Sequence, residues 1–130
     1  MSDKKLKQRN EIPKEYKWNI EAMYPDESQW DADVAESVEK AAEFAKFQGK
    51  LTESASTLLE ALRERDAIWQ KLEHAFVYAA MKKDADNRED KYQAMDDKCG
   101  SAIAKVSASM SFFTPELLEA SEETILGYIA

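Results

Sequence analysis

The chain has 130 residues, of which 44% are hydrophobic and 34% charged, and this composition is ordinary for a soluble globular domain with a modest core. Three glycines and three prolines are few for an all-β fold, and the longest apolar run, residues 75–81, is far too short to span a bilayer. The net charge of −8 argues against a nucleic-acid partner, because phosphate binding needs clustered Lys and Arg.

The single cysteine, Cys99, has no partner for a disulfide within the chain, which predicts a cytoplasmic location. The N-terminus is basic, but no apolar stretch follows it, so it does not form a secretory signal. Residues 1–17 carry six basic and three acidic side chains, and the negative charge is therefore concentrated in the remainder. We interpret residues 1–10 as a flexible polar tail.

Residues 11–25 form a predicted aromatic arm with little regular structure. Pro13 favours an extended backbone before it, and Asn19 is placed to cap a short helical turn that Pro25 ends. The arm is dense in large apolar side chains, so it must lie against something larger than itself. At least half of them are expected to strap the domain's own core. These side chains are Ile12, Tyr16, Trp18, Ile20, Met23 and Tyr24.

Residues 26–130 are predicted to form an all-α, antiparallel bundle of three long helices, because short connections between long helices make neighbours antiparallel. The first helix spans residues 26–47, and Asp26 with Gln29 three residues later forms the pattern of a capping box. Gly49 supplies a residue that readily adopts a positive φ just after the helix ends.

The second helix is the spine of the predicted bundle and spans residues 54–83, with Ser54 or Ser56 as its cap. Apolar side chains recur at helical spacing along one face, and polar residues that include Lys82 fall on the opposite face. Near its end the pattern changes, since residues 75–81 are apolar all round. This part of the helix is therefore expected to be covered from more than one side.

The third helix is predicted to begin near Asp86, with Glu89 completing a second capping box, and to end near Phe112. Its apolar stripe keeps a heptad-like spacing, as expected for a helix that packs along the spine. Gly100 lies inside this helix at a cost of about 1 kcal/mol. We interpret this glycine as a sign of close packing at that position.

A short helical piece is predicted at the C-terminal end of the chain. Thr114 and Pro115 have the pattern of a cap followed by proline in the first turn, and Ser121 can cap one further start. The last residues are apolar, and we interpret the chain as a segment of a longer protein. These apolar side chains are Ile125, Leu126, Tyr128 and Ile129.

The residues that could carry chemistry do not combine into a site in the sequence. His74 is the only histidine, so a zinc motif with two histidines cannot form, and the inverted motif would need a histidine where Gln70 stands. Residues 84–97 resemble a calcium loop, but Glu89 occupies the position that needs glycine. Cys99 lies in the apolar stripe and is interpreted as a buried hydrophobe. No catalytic, cofactor-binding or metal-binding residue is predicted.

The arm carries the most informative pattern, R-x-E-I-P-x-x-Y-x-W-N-I-x-x-M-Y-P, over residues 9–25. Two further patterns follow in order, F-Q-G-K-L at residues 47–51 and T-P-E at residues 114–116. In their order and spacing these patterns resemble the N-terminal region of the oligoendopeptidase F family of zinc metallopeptidases.

The resemblance implies a parent several times longer, with an HExxH zinc site in a later catalytic domain. That missing domain and a peptide substrate are the implied partners, and zinc is implied for the parent but not for this segment. The chain would then be a non-catalytic N-terminal domain that forms part of the wall of a channel for short peptides. The alternative is a freestanding helical module that binds a protein. Without its partner domain, the segment is expected to expose apolar patches that favour self-association.

Overall fold

A computed structural model describes residues 5–130, and the regular elements in this range are all helical. The α-helices are α1 (Glu27–Glu43), α2 (Ala55–Ala85), α3 (Asp90–Ser109), α4 (Phe113–Glu119) and α5 (Glu122–Ile129). The three long helices pack against one another, and short 3₁₀ turns make up the arm that precedes them. The predicted all-α bundle with an N-terminal arm and a C-terminal helical piece is confirmed. Residues 1–4, the start of the predicted tail, lie outside the described range.

The arm contains the predicted helical turn in the form of a 3₁₀ turn, Ile20–Ala22. Asn19 precedes this turn, but its side chain makes no capping hydrogen bond within the described part of the chain. The prediction of an Asn19 cap is therefore wrong. A turn this short has few unsatisfied N–H groups, and its backbone bonds run to the carbonyls just before it, so a side-chain cap is not needed.

Helix α1 has the predicted cap residue, Asp26, but lacks the predicted capping box. The carboxylate of Asp26 accepts a hydrogen bond from the backbone N–H of Ser28 at 2.6 Å. The Gln29 amide does not return to the cap, because it donates to the carboxylate of Asp33 one turn later, at 3.0 Å. A glutamine amide can hydrogen-bond either to the backbone of the cap or to a nearby carboxylate. Here it bonds to the carboxylate, because a charged acceptor forms the stronger hydrogen bond.

The connection between α1 and α2 is a tight turn that α4 holds in place. A 3₁₀ turn, Phe44–Phe47, extends α1, and Gly49 follows with the positive φ of 78° that the sequence predicts. The carboxylate of Glu116 in α4 accepts hydrogen bonds from the N–H groups of Gly49 (2.9 Å) and the fully buried Leu51 (3.1 Å). These two bonds span 67 and 65 residues of sequence. The F-Q-G-K-L and T-P-E patterns are therefore in contact in the folded chain.

Helix α2 begins after Ser54, whose hydroxyl oxygen accepts a hydrogen bond from the N–H of Thr57 at 3.1 Å. Ser54 rather than Ser56 is thus the cap, and the helix continues two residues beyond its predicted end. Its 31 residues make it the longest element of the described range, yet no helix there is both long and apolar enough to cross a membrane. The apolar residues that it buries in the bundle are Leu58, Ala61, Ile68, Leu72, Ala75 and Ala79.

Helix α3 begins at Asp90, four residues after the predicted start, with Glu89 as the residue that precedes it. Asp86 has an extended backbone (φ −155°, ψ 93°) and ends α2. Its carboxylate accepts hydrogen bonds from the backbone N–H of Arg88 at 3.2 Å and from its guanidinium at 2.8 and 2.7 Å. The sequence predicts Asp86 as a helix cap, but its side chain closes the turn between α2 and α3 instead. In both settings an Asp carboxylate accepts hydrogen bonds from nearby backbone N–H groups.

Close packing at Gly100 is not present in the described range, so that prediction is wrong. Gly100 is exposed, and a Cβ built on it meets no other heavy atom of residues 5–130 within 4 Å. Helix α3 buries its opposite face, which carries Met95, Cys99, Ala102 and Val106. Its α-helical part ends at Ser109, three residues before the predicted end.

The C-terminal piece consists of two short helices. Helix α4 begins at Phe113, so Thr114 lies in its first turn and is not its cap as predicted. Ser121 caps α5 as predicted, and its hydroxyl oxygen accepts from the N–H of Thr124 at 3.1 Å. The hydroxyl of Tyr128 donates to the carbonyl of Thr52 at 2.6 Å, which ties α5 to the connection that precedes α2.

Candidate functional site

The arm packs against the second half of α2 with only part of its apolar side chains. Ile20 and Tyr24 are buried, and Met23 packs against the core at its edge. Half of the six large apolar side chains therefore strap the core, as predicted. Tyr16 and Trp18, by contrast, are 76% and 80% exposed.

An ion pair with a buried lysine fixes the arm on α2. The ammonium of Lys82 lies 2.7 Å from the carboxylate of Glu21 and 5.6 and 5.8 Å from the ring centroids of Tyr78 and Tyr92. Lys82 is 8% exposed, although the helical pattern placed it on the polar face. The carboxylate and the two rings offset the cost of removing this cation from water. The hydrogen bond from Lys82 in turn lowers the pKa of Glu21.

Two buried hydrogen bonds join the end of the arm and the start of α1 to their neighbours. The hydroxyl of Tyr24 donates to the carboxylate of Asp33 at 2.8 Å. Burial, followed by this bond, raises the pKa of Tyr24 well above its usual range. The indole N–H of Trp30 donates to the backbone carbonyl of Ala75 in α2 at 2.9 Å. These bonds make the second half of the arm part of the bundle.

His74, the only histidine, lies beside the arm and not in a ligand cluster. Its Nε2 is 3.2 Å from the carbonyl oxygen of Met23, and its ring centroid is 4.9 Å from that of Tyr24. In residues 5–130 no group of three or more His, Cys, Asp or Glu side chains could hold a metal ion. His74 therefore contacts the arm and helps to hold it against α2.

The other two candidates from the sequence, Cys99 and the acidic run of residues 84–97, also make contacts that stabilise the fold. Cys99 is fully buried, as predicted for a small hydrophobe, and burial raises the pKa of its thiol to about 11. The acidic run of residues 84–97 covers the end of α2, the turn at residues 86–89 and the first part of α3. Within it Asp86 pairs with Arg88, and Asp96 pairs with Lys83 of α2. Asp86 stands at the third position of the calcium-loop pattern, and its carboxylate is already paired with Arg88.

The apolar end of α2 is covered over part of its surface. Ala75, Tyr78 and Ala79 are buried, whereas Phe76 and Val77 are 37% and 43% exposed. Trp30 of α1 and Tyr24 of the arm both contact this segment, so residues 75–81 are covered from more than one side but not all round within residues 5–130. Phe76 and Val77 form an exposed apolar face, which we call the α2 face.

Similarity to known proteins extends over nearly the whole chain but over a small part of each relative. No protein-family model matches the chain. It is 29% identical to oligopeptidase PepF of Bacillus subtilis over 124 residues, which cover 95% of this chain and 18% of that protein. It is 33% identical to the chromosomal oligoendopeptidase F of Lactococcus lactis subsp. cremoris over 124 residues, or 94% of this chain and 20% of that protein.

A solved structure is likewise similar to most of this chain but over a small part of its own length. The crystal structure of oligoendopeptidase-F from Enterococcus faecium matches with a TM-score of 0.72 at 31% identity. The match covers 80% of this chain and 21% of that one. The chain therefore spans about a fifth of the length of the curated relatives it matches.

Proposed function

Because the chain is homologous, over nearly its whole length, to the N-terminal fifth of oligoendopeptidase F proteins, we propose that it is the N-terminal helical domain of a zinc-dependent oligopeptidase. In this proposal the domain takes no direct part in bond cleavage. It forms part of the wall around a channel that admits short peptides. The observation that carries the proposal is the extent of the match, since 90–95% of this chain corresponds to about 20% of longer peptidases.

The proposal assigns zinc and its ligands to the catalytic part of the longer enzyme, where the metal would supply Lewis-acid chemistry for peptide hydrolysis. The side chains of residues 5–130 do not fit a metal site, because no three suitable ligands come together there. The buried contacts of Tyr24 and Trp30 support residues 11–25 and 26–130 as one unit preceded by a polar tail. A cytoplasmic location is part of the proposal, since the buried thiol of Cys99 needs no oxidising compartment.

The α2 face supports a contact with the catalytic part. Phe76 and Val77 follow each other on a helix whose opposite side is fully buried, and their burial would contribute about 25 cal/mol for each Å² removed from water. In the isolated chain the same face would favour self-association, because exposed apolar patches associate.

A freestanding protein-interaction module is the second candidate, and the exposure of Tyr16 and Trp18 favours it. Aromatic side chains of this kind are common at the centre of protein interfaces. The coding frame separates the two candidates. An HExxH motif several hundred residues beyond residue 130 would support the peptidase domain, and a stop codon directly after residue 130 would contradict it.

Zinc content and peptide hydrolysis test the proposal directly. We expect the 130-residue chain to bind no stoichiometric zinc and to leave peptides uncut, whereas the longer polypeptide binds zinc and cleaves them. The longer polypeptide with its first HExxH histidine replaced is the matched control and should be inactive. One tightly bound zinc per 130-residue chain, together with hydrolysis, would overturn the proposal.

A pair of stability measurements tests the contact at the α2 face. Phe76→Ser should change the unfolding midpoint of the 130-residue chain less than that of the longer polypeptide, where the ring would be buried. Gln70→Ser, at an exposed polar position of the same helix, is the control and should affect both proteins equally. Equal effects of Phe76→Ser in the two proteins would contradict a contact at this face.

A further inference from the structure

A groove runs along residues 9–21 and reaches the end of α2. Its first part has a volume of about 350 Å³ and is lined by the apolar side chains of Ile12, Tyr16 and Met81 and, at the end of α2, by Asp84. Its second part has a volume of about 340 Å³ and is lined by Lys14 and Glu21. Both volumes lie in the range of about 300–1,000 Å³ that small ligands occupy in proteins.

The two parts adjoin each other, because three residues line both of them. These residues are Arg9, Lys17 and Trp18. The guanidinium of Arg9 donates to the carbonyl of Trp18 at 2.9 Å, and the ammonium of Lys17 donates to the carbonyl of Arg9 at 3.2 Å. Two cations of the groove are therefore oriented by the arm's own backbone, and each keeps further N–H groups that can bind a ligand.

The charge of the second part is opposite to that of the chain. Arg9, Lys14 and Lys17 line it together with one carboxylate, Glu21. Glu21 lies 2.7 Å from Lys82 and 3.7 Å from Arg9, so it neutralises part of this positive charge. The chain as a whole carries a net charge of −8. A concave cluster of cations attracts anions, and Arg and Lys bind carboxylates through charge-assisted hydrogen bonds.

The first part offers the rings of Tyr16 and Trp18, which are 76% and 80% exposed. Aromatic side chains provide a large apolar surface at a small entropic cost, and an aliphatic side chain that covers them removes that surface from water. A ligand that fits the whole groove thus combines an aliphatic group with an adjacent carboxylate.

We propose that this groove binds the C-terminal end of a short apolar peptide. The aliphatic side chain lies on Tyr16 and Trp18, and the α-carboxylate accepts hydrogen bonds from Lys14, Lys17 and Arg9. The proposal rests on the proposed function, since the substrates and products of an oligopeptidase are short peptides with free carboxylates. It adds a peptide-binding site in the N-terminal domain.

Tryptophan fluorescence of the 130-residue chain tests the proposal, with the tripeptide Ala-Leu-Ala as the probe. Trp18 is the exposed reporter, whereas Trp30 is 3% exposed. We expect a saturable shift of the emission as the tripeptide is raised into the millimolar range. The response should weaken with added salt, because salt screens the carboxylate from the cations. Trp18→Phe should remove the response.

Two comparisons isolate the carboxylate. The C-terminal amide of the same tripeptide should bind several-fold more weakly. Lys14→Gln should weaken binding of the acid roughly two- to fivefold, as expected for one exposed charge contact. Lys105→Gln, at an exposed lysine of α3 outside the groove, is the matched control and should bind like the unmodified chain. The unfolding midpoint of each variant verifies that it is folded.

Three results would each overturn the inference: no saturable response, an equal response to the acid and the amide, or a response that survives in Trp18→Phe. Peptide hydrolysis by the longer polypeptide is a separate readout. Hydrolysis without binding at the groove would overturn this inference and leave the proposed function standing. Binding at the groove with no zinc or hydrolysis in the longer polypeptide would overturn the proposed function instead.

Discussion

Replacing Glu116 with alanine should destabilise the fold more than any other change on the surface of α4. Its carboxylate accepts two backbone hydrogen bonds, from Gly49 at 2.9 Å and Leu51 at 3.1 Å. Both N–H groups belong to the turn between α1 and α2, where Leu51 is fully buried. Without the carboxylate, the N–H of Leu51 loses its partner in a place that water reaches poorly.

The expected loss follows from these two bonds. A hydrogen bond to a charged group contributes about 1.5–3 kcal/mol, and the bond to the exposed Gly49 contributes less because water competes for the same N–H. We therefore expect Glu116→Ala to lower the free energy of unfolding by about 2–3 kcal/mol. For a chain of this size that corresponds to a fall in Tm of roughly 7–11 °C.

Urea unfolding followed by circular dichroism measures this loss, with Glu119→Ala as the control. Glu119 lies on the same helix but is exposed, so its replacement should stay within about 0.5 kcal/mol. Glu116→Gln should fall between the two, because the amide keeps one acceptor oxygen but turns an NH₂ group toward the other donor. If Glu116→Ala unfolds at the same urea concentration as Glu119→Ala, the two hydrogen bonds do not hold the turn.

Three further predictions concern buried groups. Trp30→Phe should cost about 1–2 kcal/mol in urea unfolding, since it removes a buried hydrogen bond to a carbonyl of α2, while Trp18→Phe should cost less than about 0.5 kcal/mol. Because burial raises the pKa of Tyr24 above 10.0, its contribution to stability is present below pH 10.0 and is lost as the pH rises further. Tyr24→Phe should therefore flatten the alkaline fall of the unfolding free energy, and an unchanged fall would contradict the burial of this hydroxyl beside Asp33. Cys99, with a thiol pKa raised to about 11 by burial, should react with a disulfide reagent at neutral pH only after urea unfolds the chain, and rapid reaction in the native state would contradict its position.

The long helices could be predicted because local signals and periodicity agree over many residues. Ser54 is followed by a repeating apolar face, and its hydroxyl caps α2 as the pattern indicates. Gly49 adopts the positive φ that its place after α1 requires. In both cases the residue's neighbours in sequence determine its conformation, so sequence alone is sufficient.

The turn before α3 and the burial of Lys82 could not be predicted from local signals. Asp86 has the chemistry of a helix cap, but a guanidinium two residues later binds its carboxylate and closes a turn. Lys82 lies on the polar side of the α2 pattern, yet Glu21, 61 residues away, covers it. Each outcome depends on a partner that periodicity does not specify.

The groove could not be predicted from the sequence either, because it depends on residues that are distant in sequence. Lys14 and Lys17 belong to the arm, Arg9 lies just before it and Met81 belongs to α2, so only the folded path of the arm brings them together. The aromatic residues of the arm were recognisable as a set. Which of them are exposed depends on the side of the arm that faces α2, and contacts such as those of Tyr24 with His74 and Tyr78 decide this.

Gly100 makes the domain less stable than alanine at the same position would. The residue is exposed in the middle of α3, its φ is not positive, and a methyl group added there meets no heavy atom of residues 5–130. A glycine in such a place costs about 1 kcal/mol relative to alanine, mainly because the unfolded chain is more flexible. That cost corresponds to about a fivefold larger unfolded population. The balance between folded and unfolded chain is therefore set in part by one exposed position outside the core, which alanine could fill without altering any contact.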